Sequence, residues 1–378
     1  MSMYKRLREE HDACRRSGTP FKAFDNYSDA LRAKELRPSE IQIRPLFEAL
    51  VDNGREALEE MQDYRDRGVR RSLMESIDTS AFQMFMGPMV YEQFKEAFDS
   101  PQYVGDKLVT VQPTKILTSV EVPGVSQWGD DAAEVPEGKE YPMVGLSATK
   151  IRLPAIKKYG KGIAITEEML YANDNGEVMS RIGQAADSLA ISKEKRILDM
   201  VVGTTNTFRR NDVAENTYQS SGSINHKTSN ALVDWTDINA VQQLFNQLTD
   251  PDTLEPISVM PKDILVPLAL AEQLKMILSA TQVKTVSGSA TVETYSVNPL
   301  SQYNIITGQY VRARTGDDTT WFMGDFKKAF VYREVKKATV EPVPASECLL
   351  RGIAFMWRAH EWGTPGVRER LFTAKSTA

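Results

Sequence analysis

The stretch GIAITEEMLYANDNGEVMSRIGQAADSLAISKEKRILDMVVG, Gly162–Gly203, reads as a strand end, a short helix, a break and a long helix. Gly162-Ile163-Ala164-Ile165 is short and apolar, as a strand end is. Thr166 is suited to cap a helix, with Glu167 and Glu168 at its positive end. Asn173-Asp174-Asn175-Gly176 breaks that helix, and Asp174 with Glu177 resembles a capping box. Ile182, Ala186, Leu189, Ile197 and Met200 then recur at helical spacing, with one gap in register at Lys193. Gly183, Ala185, Ala186, Ser188 and Ala190 keep the sides small, which permits close approach of another backbone. Gly203 stops the helix. The pattern is a long half-buried helix that carries no reactive group.

Upstream of it, LVTVQPTKILTSVEVPGVS and MVGLSATKIRLPAIKKYGKGIAIT alternate and are rich in Val, Thr and Ile, so both read as strand. Between them lies the acidic, turn-rich WGDDAAEVPEGKEYP. The three together predict an extended hairpin with too few apolar residues near its tip to bury itself. Two strands alone are marginal in water, so such a projection is expected to lie on something else, with another subunit a good candidate. Residues 76–100 hold the apolar group Phe82, Met84, Phe85 and Met86, either core or interface. Pro88 then marks a helix start, and Val90, Tyr91, Phe94 and Phe98 form its stripe. Before that, Pro45, Leu46, Phe47, Leu50, Val51, Ala57, Leu58, Met61 and Tyr64 outline an amphipathic helix. It either packs on its own domain or pairs with neighbours. Residues 1–37 mix both charge signs, and YKRLREEHDACRR fits a solvated peripheral helix.

Downstream, residues 204–233 are polar and read as a surface loop or weak strands. Asp234 opens a helix bearing Ile238, Val241, Leu244, Phe245 and Leu248. ISVMPKDILVP is a buried strand, LALAEQLKMILSA a short helix, and 281–300 an exposed loop. Tyr303–Ile306 is a strand with a turn at Gly308. WFMGDFKKAFVYREVKKATVEPV supplies two strands and LLRGIAFMWRAHEWGT a third, after which PGVRERLFTAKSTA trails off polar.

The bulk numbers limit the function. With 378 residues, 41% hydrophobic and 26% charged, the chain is an ordinary globular protein with room for more than one core. A net charge of −5 gives no basic domain of the kind a sequence-specific nucleic-acid binder shows. The two cysteines, Cys14 and Cys348, make no disulfide framework and fit a reducing compartment. No apolar run reaches the length of a membrane span. Three histidines, His11, His226 and His360, leave little for a transition-metal site. Phosphate-loop, dinucleotide, nucleophile-elbow, CxxC and HExxH patterns are absent. No cofactor is expected. Asp130, Asp131, Glu134, Glu137 and Glu140 cluster at the hairpin tip, a setting that favours a solvated tip or an ion-pair partner over acid–base chemistry. Lys157, Lys158 and Lys161 at the hairpin base meet such a tip or a phosphate, but are too few for sequence-specific binding.

This order of elements resembles the tailed-bacteriophage major capsid proteins of the HK97 fold, over roughly residues 76–375. The most specific pieces are GIAITEEML running into the long helix, MPKDILVP before a short helix, MGDFKKAFVYRE and RGIAFMWRAHEWG. The resemblance implies an α+β, HK97-like fold. It comprises a helical N-terminal extension (1–75), an arm (76–115), an E-loop hairpin (116–165) and a P-domain spine helix (166–203). An A-domain (204–320) and C-terminal strands returning to the P-domain (321–378) complete it. It further implies a non-enzymatic subunit that forms hexamers and pentamers of an icosahedral virion shell around double-stranded DNA. Assembly would take place in the host cytoplasm, with portal, scaffold or decoration proteins as further partners and no membrane. Trp128, Asp130, Asp131, Glu134, Glu137, Lys139, Lys157, Lys158, Lys161, Phe94 and Phe98 are the expected assembly-interface residues.

Two features depart from the family. The first 75 residues exceed the minimal pattern and are expected to stay uncleaved. Some relatives weld subunits by an isopeptide bond between a hairpin lysine and a P-domain asparagine. Lys139 stands at the hairpin position, yet 321–378 contains no asparagine, so non-covalent stabilisation is expected. Two other readings compete: a bacterial nanocompartment shell of the same fold, and an enzyme using His226, Asp234 and Glu361.

Overall fold

The computed structural model describes residues 22–33, 81–99, 103–124, 149–166, 175–205, 208–222, 224–249, 256–280, 282–287, 292–298, 302–343 and 353–378, with isolated positions besides. The tip of the expected hairpin, apart from Glu137, lies outside them. So do the short helix after Thr166 and most of the helix expected at 45–68. The helices are α1 (Lys22–Arg32), α2 (Ala81–Phe98), α3 (Gly105–Leu108), α4 (Asn175–Val202), α5 (Trp235–Asn246), α6 (Leu268–Ser279), α7 (Gln309–Thr315) and α8 (Phe326–Ala329). The strands begin with β1 (Thr110–Pro113), β2 (Val120–Pro123), β3 (Lys150–Leu153) and β4 (Lys158–Thr166). β5 (Arg209–Arg210), β6 (Val213–Ala214), β7 (His226–Lys227) and β8 (Asp263–Pro267) follow. Then come β9 (Gln282–Ser287), β10 (Val292–Val297), β11 (Asn304–Gly308) and β12 (Trp321–Gly324). β13 (Phe330–Pro342), β14 (Ile353–Val367) and β15 (Thr373–Ser376) end the chain. The fold is α+β, as expected. It divides into two compact units, each discontinuous in sequence: 1–100 with 158–191 and 336–362, and 101–157 with 192–335 and 363–378.

In the first unit the apolar residues of α2, β4, β14 and the start of α4 close one core. Met86, Met89, Val90 and Phe94 pack with Ile163, Ile165, Trp357 and Ala359, and with Val178, Ile182, Ala186 and Leu189. β4 lies antiparallel to β14, with Ile163 opposite Trp357. Two expectations are corrected. Pro88 lies inside α2 and not at its start. A proline there removes one helical bond and costs about 3 kcal/mol, offset by the complete burial of Met86, Met89 and Val90 around it. The N-terminal 37 residues are not merely peripheral either, because Leu7, Tyr27 and Leu31 are buried in this core. Among the described residues, a side chain added at Gly183 would meet nothing within 4 Å.

In the second unit a five-stranded sheet runs β11-β8-β12-β15-β7. β8 pairs parallel to β11 and antiparallel to β12, and β15 pairs antiparallel to β12 and parallel to β7. Its central strands β8 and β12 are buried on both faces. Ile264, Val266, Trp321 and Met323 join Ile238, Val241, Phe245 and Leu274 in one core. Leu265 and Phe322 point into another, with Ile197, Val201, Phe326 and Phe330. This alternation is the period of two of a pleated strand, and burial on both faces explains why DILVP and WFMG are apolar runs. Asp234 caps α5, accepting from the Thr236 N–H at 2.7 Å, while Asp237 accepts from the Asp234 N–H at 2.9 Å. α4 ends where Gly203 takes φ +82°, the left-handed stop its sequence announced.

The second unit corrects two further expectations. Residues 282–287 and 292–297 are no loop but the antiparallel pair β9 and β10, Val292 opposite Ser287. QVKTVS and VETYSV are strand-like in themselves. The polar C-terminus does not trail off: β15 sits between β12 and β7, with Thr373 and Ser376 fully buried.

Candidate assembly surface

The hairpin base is built from β2 and β3, antiparallel with Val120 opposite Leu153 and Pro123 opposite Lys150. Ile151 and Leu153 alternate inward and are buried, whereas Lys150 and Arg152 remain outside. On that outer face Glu121 meets Arg152 at 3.2 Å and Lys150 at 3.3 Å, and Arg152 also reaches Asp212 at 2.8 Å. The Arg152 and Lys150 bonds hold the Glu121 carboxyl below the usual carboxylate range. All four residues of β1 are exposed, and Val111, Ile116 and Leu117 stand 42%, 52% and 49% exposed, apolar side chains carried beside the hairpin base. β1 is an edge strand, parallel to β13.

Of the expected interface residues, Trp128, Asp130, Asp131, Glu134 and Lys139 lie outside the described residues, and Glu137 is exposed in a turn. Lys157, Lys158 and Lys161 are exposed. Lys158 stands 5.4 Å over the Trp362 ring, and Lys161 donates to the Ser188 hydroxyl. Phe94 is 1% exposed and belongs to its own unit's core, while half-buried Phe98 stacks on it with ring centroids 5.7 Å apart. Phe98 therefore presents what remains of that aromatic pair at the surface.

The residues named for an enzyme each have a structural place. Asp234 is a helix cap, and His226 shares a 3.2 Å hydrogen bond with Thr377. His360 and Glu361 are buried in β14 at 4% and 2% exposure. Burial holds the His360 ring below its ordinary pKa. Beside it Glu341 accepts from Lys336 and from Arg358 at 2.9 Å, and these bonds pull its carboxyl down to about 2. No group of three or more metal-ligating side chains occurs among the described residues.

Residue reasoning missed the buried charges that organise the hairpin side of the second unit. The gap in the helical stripe at Lys193 is filled by the lysine itself. It is 9% exposed, bonded to Asp106 at 2.8 Å, with its ammonium 5.0 Å from the Tyr332 ring centre. The next residue, Glu194, is 3% exposed and accepts the N–H groups of Val104 at 3.1 Å and Gly105 at 2.6 Å. Burial pushes its carboxyl pKa up, against those two bonds. A Cβ at residue 105 would lie 2.6 Å from the Glu194 carboxylate, which is why a glycine stands there. The interrupted apolar stripe was the one signal of this clasp in the sequence.

The family model described as Phage capsid protein matches residues 150–364, more than half of the chain. The chain belongs to that family. This capsid protein thus bears out the resemblance to tailed-phage major capsid proteins, and as a phage capsid protein it is a structural component of the virion. Curated proteins include none that matches it. Solved structures similar to it include the capsid of cyanophage P-SCSP1u, at 12% identity over 72% of this chain and 86% of that one, with a TM-score of 0.46. A structure from Mycobacterium phage Che8 matches at 14% identity over 73% and 92%, TM-score 0.44. The SrpI encapsulin complex of Synechococcus elongatus PCC 7942 matches at 10% identity over 74% and 87%, TM-score 0.43.

Proposed function

We propose that this capsid protein is the major head subunit, assembling as hexamers and pentamers into an icosahedral shell that encloses double-stranded DNA. The carrying observation is the phage capsid match over 150–364, which takes in β3, α4, β13, most of β14 and the strands β7, β8, β11 and β12 of the second unit's sheet. The exposed apolar run beside the hairpin base supports the reading, since a monomer gains nothing from half-exposed Val111, Ile116 and Leu117. Subunit contacts of this kind are weak singly and add through closure of the shell. A shell needs no basic protein, because counterions screen charge over about 10 Å at ordinary salt. We further assign subunit contacts to the hairpin residues Trp128, Asp130, Asp131, Glu134, Glu137 and Lys139, to Lys157, Lys158 and Lys161, and to Phe98. The N-terminal extension is retained in this reading. Shells are held without covalent welds, so boiled particles run as monomers on a denaturing gel.

Negative-stain electron microscopy of the purified protein tests the reading. Uniform hollow polyhedra of phage-head size, holding DNA when taken from infected cells, are expected. A small DNA-free shell enclosing an enzyme would instead make it a nanocompartment protein. Trp128→Asp is expected to abolish shells while leaving the subunit folded. Normal shells from that variant would remove the hairpin from the interface.

A further inference from the structure

Arg333 stands on β13, opposite Gln112 of β1, and is 2% exposed. Its Nη1 donates to the carbonyls of Thr118 at 3.2 Å and Pro154 at 2.8 Å, and its Nη2 to the carbonyl of Ile116 at 3.0 Å. Ile116 and Thr118 lie on the leg that leads into β2, and Pro154 begins the leg that leaves β3. One side chain thus holds both legs of the hairpin where they emerge. The legs meet each other through the Ile156 N–H and the Leu117 carbonyl, 2.9 Å apart. The entering leg is anchored further by the Thr114 N–H on the Glu334 carbonyl, at 2.8 Å. The leaving leg is anchored by the Lys157 N–H on the Thr364 hydroxyl, at 2.9 Å.

The leg sequences TKILTS (114–119) and PAIK (154–157) contain no carboxylate, so backbone carbonyls take the donors. Burial draws the Arg333 pKa down, yet a guanidinium stays protonated in proteins. Packing alone would be served as well by an apolar side chain, because burying a cation is costly. What a guanidinium adds is a rigid planar fork that ties carbonyls from two segments in one fixed geometry, which a lysine ammonium cannot reproduce. With the Ile116 carbonyl bound by Arg333 and the Leu117 carbonyl bound by Ile156, both side chains remain about half exposed.

We propose that Arg333 is a positioning residue that sets the direction of the β2–β3 hairpin, and with it the register in which the hairpin meets a second copy of this chain. The second clause rests on the shell reading; the first does not. The test uses the full-length, unassembled protein with Arg333→Lys and Arg333→Met. Trypsin cleavage at Lys115 and Lys157, in the two legs, is timed against cleavage at exposed Lys275 on α6, alongside the thermal midpoint. Loss of the fork is expected to speed leg cleavage about tenfold relative to Lys275 in both variants, with the midpoint little changed, as for local opening. Where wild type forms shells, the yield from either variant falls.

An unchanged cleavage ratio overturns the proposal. So does equal acceleration at all three sites with a lowered midpoint, which marks a purely stabilising role. If Arg333→Met does not fold, Arg333→Lys carries the same comparison, and failure of both to fold overturns the proposal as well. A raised leg-to-Lys275 ratio in a protein that never forms shells keeps the clamp and removes the shell reading.

Discussion

Two four-residue strands of the second unit, β1 (TVQP) and β15 (TAKS), invert the usual relation between composition and burial. β1 carries a valine and is exposed throughout. β15 carries two hydroxyl residues and a lysine, and Thr373, Ala374 and Ser376 are at 0%, 1% and 0% exposure. The difference is place in the sheet. Among the described residues β1 pairs on one side, with β13, whereas β15 lies between β12 and β7. Polar side chains tolerate such a place when each finds a partner. The Ser376 hydroxyl donates to the Asn230 carbonyl at 2.9 Å, and the Thr373 hydroxyl to the Arg370 carbonyl at 3.2 Å. Asn225 donates to the carbonyls of Thr217, Arg370 and Thr373 at 3.0, 3.1 and 3.0 Å. The lesson is that burial in this protein follows sheet position and hydrogen-bond supply, with hydropathy as a weaker guide.

The strongest way to break this comparison is Ala374→Asp. An unpaired carboxylate placed among Trp321, Met323 and Leu371 is expected to cost more than about 4 kcal/mol and leave the chain insoluble. A soluble variant with a near-normal denaturant midpoint would show that β15 is dispensable. Asn225→Ala, which removes the amide's hydrogen bonds to three carbonyls, is expected to cost about 3 kcal/mol in urea unfolding. A loss below about 0.5 kcal/mol would mean that water replaces the amide.

Lys375 sharpens the comparison through pH. Burial lowers its pKa in the fold, so the unfolded chain holds the proton more tightly. Its penalty is full at neutral pH and fades as pH rises from the lowered folded value toward the ordinary 10.5. Lys375→Met should therefore stabilise at pH 7 by less than about 1 kcal/mol, since the ammonium is partly solvated, and the gain should shrink on alkaline titration. A gain constant up to pH 11 would place its origin in packing. The smallest effect is expected on β1: Val111→Ser should change unfolding free energy by less than about 0.5 kcal/mol while lowering shell yield. A large stability loss would make Val111 a core residue after all.

Much of the fold was legible because its elements are long and periodic. The helix ending at Gly203, the cap at Asp234 and the two-sided strands DILVP and WFMG each declare themselves within a window of a few residues. The order of these elements was enough to place the chain among phage capsid proteins, through GIAITEEML, MPKDILVP and MGDFKKAFVYRE. The candidate surface was less legible. Phe94 was read as surface from an aromatic stripe shared with Phe98, and only the packing of α2 against β4 and β14 separates the buried ring from the half-buried one.

By itself, the sequence determined the local periods, the helix stops and caps, the absence of familiar catalytic patterns and the family. The tertiary structure alone decided which residues far apart in sequence share a partner. Glu194 meets the backbone N–H groups of Val104 and Gly105. Arg333 meets three carbonyls that no side-chain pattern marks. The polar tail meets the gap between β12 and β7. Every residue but proline carries the same backbone N–H and every residue the same C=O, so a partner on the backbone leaves no trace in residue type, and only the folded chain shows where a buried charge spends its hydrogen bonds.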